Sequence, residues 1–309
     1  MDRKTVVAAI LFLILFIPSF ASAECQVKPE KESINSVINN KNKFEERGTY
    51  DDLMCLAKAY FYSGNFKESD RYYSILIKTA KTDRGISAAL SGSATSKKYL
   101  GQSEEAIALL KRSLEIEVKL NDRQAQGAAL ANMASIYGDM GKSEESINKS
   151  LESIKFLSNQ HDISATLNNV AMGYRDMNNE NDSLKYINMA IANDRKYSLN
   201  DYLPIHKINK GVILGTFNKT RLAIVELTEG TSLAKEQGNL FWEMNGNYRL
   251  AMSHHRNGNQ KEAALCISNA INLSKQLQLP GRQKNFEDAE KIILRAKRAR
   301  MSIKGVRDE

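Results

Sequence analysis

Residues 56 to 263 carry one pattern six times at nearly constant spacing. Each stretch has an apolar or polar residue, then a small one, often an aromatic three positions later, then a turn residue. The six are Leu56-Ala57 with Tyr60 and Gly64, Ser93-Ala94 with Gly101, Met133-Ala134 with Tyr137 and Gly141, Val170-Ala171 with Tyr174 and Asn178, Lys210-Gly211 with Leu214 and Asn218, and Leu250-Ala251 with His254 and Gly258. Successive turn residues are 37, 40, 37, 40 and 40 positions apart. Five residues after each of them stands another small side chain: Ser69, Ala106, Ser146, Ser183, Ala223 and Ala263. Two antiparallel helices approach closely only where small residues occupy the crossing of their backbones. Gly or Asn at the corner takes the left-handed conformation that ends a helix, and the apolar residues around it keep i, i+3, i+4 spacing. The pattern therefore predicts a helix hairpin repeated along the chain.

Composition agrees with helices. Seventeen Gly and four Pro in 309 residues are too few for the corners of a many-stranded β-protein. The net charge of +8 is concentrated at the C-terminus, where Lys291, Arg295, Lys297, Arg298, Arg300, Lys304 and Arg307 face only Asp308 and Glu309 from residue 291 onward. The body is nearly neutral, which counts against a nucleic-acid-binding surface built from a basic stripe and stacking aromatics.

On these residues the chain resembles the tetratricopeptide repeat family over residues 50 to 279. Its period is longer than the usual 34, and the Trp of position four is replaced by Leu53, Leu90, Leu130 and Leu167, then by Lys207 and Asn247. The resemblance implies an all-α fold, a right-handed superhelical solenoid of about six helix-turn-helix repeats with capping helices at both ends. The N-terminal cap is expected within residues 24–49, with Ile34, Val37, Ile38 and Phe44 as one stripe on one helix. The C-terminal cap and basic tail are expected in 280–309, beyond Pro280-Gly281, with Phe286, Ala289, Ile292, Ile293 and Ala296 on its inner side. That tail is read as a solvated face, with a membrane or acidic-partner contact as the alternative.

Residues 1–23 read as a cleaved signal peptide. Arg3 and Lys4 precede twelve apolar residues from Val6 to Ile17, and Ala21-Ser22-Ala23 offers a small-residue cleavage site. The apolar run falls short of the roughly 20 residues that span a bilayer. Export to a periplasm or to the medium permits disulfides. Of the three cysteines, Cys25 and Cys55 are the expected pair, and Cys266 is expected in a helical apolar stripe.

No catalytic motif accompanies the repeats. Gly-x-Ser-x-Gly, the phosphate loop, His-Glu-x-x-His and Cys-x-x-Cys are all missing from the sequence. The adjacent His254 and His255 diverge by about 100° on a helix and cannot share a metal. No enzyme activity, metal or cofactor is expected. The resemblance implies instead that positions 2, 5, 6, 9, 12 and 13 of each first helix face a concave groove. Position six then carries Asn132, Asn169 and Asn209 in three successive units, with Cys55, Gly92 and Arg249 in the others. A carboxamide both donates and accepts, so it can pair with the backbone of an extended peptide; the other reading is that these amides only wet the wall. Asn168, Met172 and Arg175 flank them in unit four, and Tyr248 and Arg256 in unit six. The expected partner is a protein or peptide held by a non-catalytic scaffold, with a ligand-sensing repeat protein as the alternative.

Overall fold

A computed structural model describes residue 27, residues 31–277 and residues 279–305, with side chains through residue 295. Residues 1–23, expected to be a signal peptide, Cys25 and the last four residues lie outside the described part. The fold is all-α, with fifteen helices among the described residues. They are α1 (Lys31–Asn39), α2 (Lys41–Arg47), α3 (Tyr50–Tyr62), α4 (Phe66–Thr79), α5 (Asp83–Tyr99), α6 (Ser103–Lys119), α7 (Arg123–Asp139), α8 (Ser143–Ile154), α9 (Gln160–Asp176), α10 (Glu180–Tyr197), α11 (Leu203–Thr216), α12 (Thr220–Glu236), α13 (Leu240–Arg256), α14 (Gln260–Gln276) and α15 (Pro280–Gly305). None is long and apolar enough to cross a membrane. The chain divides after Asn169, inside α9, into two compact units.

All six corner residues anticipated from the spacing adopt positive φ: Gly64, Gly101, Gly141, Asn178, Asn218 and Gly258, between +58° and +87°. The hydrogen bonds explain why. At the first corner the Gly64 amide donates to the Phe61 carbonyl and the Asn65 amide to the Tyr60 carbonyl, both at 2.9 Å. Those bonds satisfy carbonyls the helix end would otherwise orphan, and they require a left-handed residue between. The amide of Asn179 likewise donates to Tyr174 and that of Lys219 to Leu214.

The small residues meet as the spacing predicts. Ala57, Ala94, Ala134, Ala171 and Ala251 are buried, and so are Ser69, Ala106, Ser183, Ala223 and Ala263. Serine at the second crossing position adds a bond: Ser69 Oγ donates to the Ala57 carbonyl, and Ser183 Oγ to that of Ala171, each at 2.9 Å. A hydroxyl reaching the backbone of the facing helix shows how close the pair lies.

In the first unit, α3 packs on α4, α5 on α6 and α7 on α8, and α4 also contacts α5 and α6 contacts α7. Leu56, Leu76, Leu90, Leu110 and Leu130 are fully buried, each contributing about 1.5–3 kcal/mol by transfer from water. The N-terminal stripe is split between two helices. Ile34, Val37 and Ile38 lie in α1 and Phe44 in α2, separated at Asn40, whose side-chain amide donates back to the Ser36 carbonyl. Val37, Ile38 and Phe44 still pack on the α3–α4 core. Cys55 is buried and disulfide-bonded.

At the start of α9, Asp162 accepts a 2.7 Å hydrogen bond from Gln124 Nε2. Burial nevertheless pushes its carboxyl up to about 6, with the Gln124 bond opposing. A raised folded value favours the protonated form, so this group stabilises the fold at low pH. That contribution is lost as pH rises from the ordinary aspartate range through about 6. Asp162→Asn is therefore expected to match the parent near pH 4 and to exceed it by roughly 1 kcal/mol at pH 7, after allowing for solvent screening. Urea titrations at the two pH values check this.

In the second unit, α11 packs on α12, α13 on α14 and α14 on α15. Polar residues at position four are accommodated here. Lys207 is only 5% exposed, and its ammonium donates to Glu226 at 2.9 Å and Glu229 at 2.6 Å on α12. Asn247, also buried, donates to the Glu243 carbonyl. The last helix starts at Pro280 itself, a residue suited to the first turn, and buries Phe286, Ala289 and Ile293. Ile292, expected beside them, is exposed, and the Ala296 side chain lies outside the description. Cys266 is a half-buried free thiol packed at the edge of the Ile208, Leu227 and Leu250 cluster.

Candidate functional site

Each unit presents its first helices differently. In the first unit, Asn132 on α7 is 4% exposed, and its Nδ2 has no hydrogen-bond partner. Cys55 is buried as well, and Gly92 is a seat for the Tyr73 ring rather than an open surface. Position six in α3, α5 and α7 thus serves packing. Asn169 on α9 is exposed and Asn168 half-buried, both with residue environments unlike that of Asn132.

The second unit keeps more of its first-helix residues open. Asn209, Met172, Arg175 and Tyr248 are half-buried, and Arg249 and Arg256 are exposed. Arg175 is held on its own helix, with Nε and Nη2 donating to Asp176 Oδ1 at 2.9 and 2.6 Å and Nη1 lying 3.7 Å from Met172 Sδ. Arg256 Nη1 reaches the Gly215 carbonyl of α11 at 3.4 Å. Tyr248 stacks on Phe286 of α15 with centroids 4.7 Å apart, and the Arg249 guanidinium lies 5.7 Å from the Tyr248 ring.

A fourth arginine joins these three. Arg282, near the start of α15, donates to Asn245 Oδ1 at 2.8 Å and lies over the Phe241 ring at 5.4 Å. Asn245 is itself oriented by a 2.7 Å bond from Nδ2 to the Phe241 carbonyl. The four guanidinia interact. Desolvation by the surrounding protein lowers the Arg249 pKa, and the positive charges of Arg175 and Arg256 lower it further. Arg282 is lowered by burial and then by Arg249. Among the described residues, Arg249, Arg256 and Arg282 form no ion pair with a carboxylate.

Reasoning from sequence placed Arg282 in a cap and so missed it. Its signal was the period: it stands 37 residues after Asn245, so α15 continues the row of first helices. Two of the histidines are held by neighbouring side chains. His206 is buried against Asp194, and His255 Nδ1 lies 3.0 Å from Gln260 Oε1. No group of three His, Cys, Asp or Glu among the described residues is placed to hold a metal ion.

Comparison with known proteins supports the repeat reading. The fold is similar to that of a Rap protein crystallised in complex with competence and sporulation factor, with a TM-score of 0.60 and 12% identity over 85% of this chain and 82% of that one. It is similar to aspartyl phosphate phosphatase F from Bacillus subtilis, with a TM-score of 0.63 and 14% identity over 92% of this chain and 84% of that one. A signal transduction ATPase with a tetratricopeptide repeat sensor from Pyrococcus horikoshii gives a TM-score of 0.66 and 15% identity over 90% of this chain and 47% of that one. At such identities the likeness is one of fold. No curated protein is similar to the chain in sequence. The sequence model of the family described as anaphase-promoting complex subunit 5 matches residues 95–181, 172–241 and 247–278. With more than half of its length covered by that match and its helices paired as the repeat demands, the chain belongs to this family and is a tetratricopeptide-repeat protein.

Proposed function

We propose that the protein is an exported, non-catalytic adaptor that holds a segment of another polypeptide against the first helices of its repeats. One observation carries the reading. In the second unit the small and apolar positions are buried at the helix crossings, while Asn209, Tyr248, Arg249 and Arg256 are left open to some degree on the other side of the first helices. Repeat proteins of this kind use such faces for extended binding surfaces. The Rap protein crystallised with competence and sporulation factor lends support by analogy of fold.

Site-specific photocrosslinking in native cells tests the proposal. A photoreactive residue at Tyr248 is expected to trap a discrete polypeptide, and one at Leu222, exposed on α12, is not. Equal trapping at both positions would count against the adaptor. The export half of the reading rests on residues 1–23 and predicts a mature chain that begins at Glu24 with Cys25 bonded to Cys55. N-terminal sequencing and non-reducing peptide mapping decide both points. A second reading, a sensor, draws on the repeat sensor of the Pyrococcus horikoshii ATPase. Small-angle scattering separates the two, since partner binding changes the dimensions of a sensor and leaves those of an adaptor unaltered.

A further inference from the structure

Several positive charges in the second unit are neutralised by carboxylates where its helices pair. Lys207 and Lys210 share Glu226, Arg195 lies against Glu229, and Lys219 against Glu180. On the first-helix face, Arg175 uses up Asp176. Arg249, Arg256 and Arg282 are then oriented by neutral groups alone: the Tyr248 ring, the Gly215 carbonyl and Asn245 Oδ1. These contacts aim the guanidinia without cancelling their charge, and the like charges lie near enough to act on one another.

Resting on the peptide-holding reading above, we propose that this face docks an acidic, extended polypeptide segment, with Arg249, Arg256 and Arg282 taking its carboxylates. Charge complementarity selects the sign of the occupant, since guanidinium binds carboxylate in fork geometry. Spacing selects a polymer of separate charges. Arg249 and Arg256 stand seven residues apart on α13, or about 10 Å along the axis. A segment extended as polyproline II has three residues per turn and rises about 3.1 Å per residue, so acidic residues three apart share one face about 9 Å apart and meet the pair. A single-stranded nucleic acid binds best on open aromatic faces for its bases, and one face of Tyr248 is covered by Phe286.

Fluorescence anisotropy on the full chain tests the inference, with a labelled peptide carrying glutamate at every third position and its glutamine twin. The glutamate peptide is expected to bind at least about tenfold more tightly at low salt, with the gap narrowing as salt rises. Arg249→Glu should remove most of that gap and Arg249→Gln a smaller share. Both side chains sit at an exposed position, and unchanged thermal melts would show that the fold is kept. Equal binding of the two peptides, or a gap untouched by Arg249→Glu, would overturn the acidic-segment inference while leaving the peptide-holding face in place. Binding of a DNA duplex as tight as that of the glutamate peptide would overturn it in favour of a general polyanion surface. Failure of both peptides, together with no trapping at Tyr248, would overturn the inference and the adaptor reading alike.

Discussion

Replacing Asp194 with alanine is expected to lower the unfolding free energy by about 3–5 kcal/mol, the cost of leaving one member of a buried charged or hydrogen-bonded pair alone. Asp194 on α10 and His206 on α11 are 0% and 1% exposed at the side chain, and His206 Nδ1 lies 2.6 Å from Asp194 Oδ2. The imidazole is also wedged beside the Tyr202 ring, with centroids 5.6 Å apart, so it has no path to water. Asp194 also supplies the helix end: its carbonyl accepts from the Leu199 amide at 2.8 Å. Asp194→Asn keeps an acceptor for the ring and should cost much less. His206→Ala should also be destabilising, and the double variant should cost clearly less than the sum of the two alanine variants. Urea denaturation of the parent and the four variants measures this. Additive losses, or a single loss below about 1 kcal/mol, would remove the pair from any account of stability.

The second large effect is expected at Gly92. A Cβ built there would stand 2.3 Å from Cε1 and Cζ of Tyr73. Tyr73 is fully buried, and its ring cannot swing away without opening the space between α4 and α5. Alanine gains about 1 kcal/mol in helix propensity over glycine. The overpacking should exceed that gain and leave Gly92→Ala less stable by about 1–3 kcal/mol net. Thermal melts report the sign directly, and a stabilised Gly92→Ala would show that the ring is not held as described.

What could be read from the sequence divides along the same physical line. A corner that reverses a helix needs a left-handed residue, and a close crossing needs small side chains. Both demands are local, so Gly64 through Gly258 and Ala57 through Ala263 could be named in advance. Which first-helix residues face outward depends on how the next helix leans across, and no local rule supplies that. Position six is buried at Cys55, Asn132 and Gly92, yet exposed at Asn169 and Arg249. The row of three asparagines was therefore a projection from the family, and Asn132 does not share the exposure of Asn169. Lys207 looked like a poor match at position four because its acidic partners, Glu226 and Glu229, lie on the following helix. Asn40 broke the N-terminal stripe into two helices for a reason that spacing does not encode.

The claim on which the fold rests is that small residues mark the lines where paired helices touch. Gly211 and Gly215, four residues apart on α11, test it within one turn. A Cβ at Gly211 would stand 2.5 Å from Leu227 Cγ and 3.1 Å from the Ala223 carbonyl oxygen of the facing helix. At Gly215 the nearest atom would be Ala223 Cβ at 3.9 Å, ordinary contact. Equilibrium unfolding of the two alanine variants should therefore move in opposite directions: Gly211→Ala destabilised by about 1–3 kcal/mol, Gly215→Ala stabilised by about 0.5–1 kcal/mol. If both variants gained stability, α11 and α12 would not cross at Gly211, and the hairpin packing described above would be wrong.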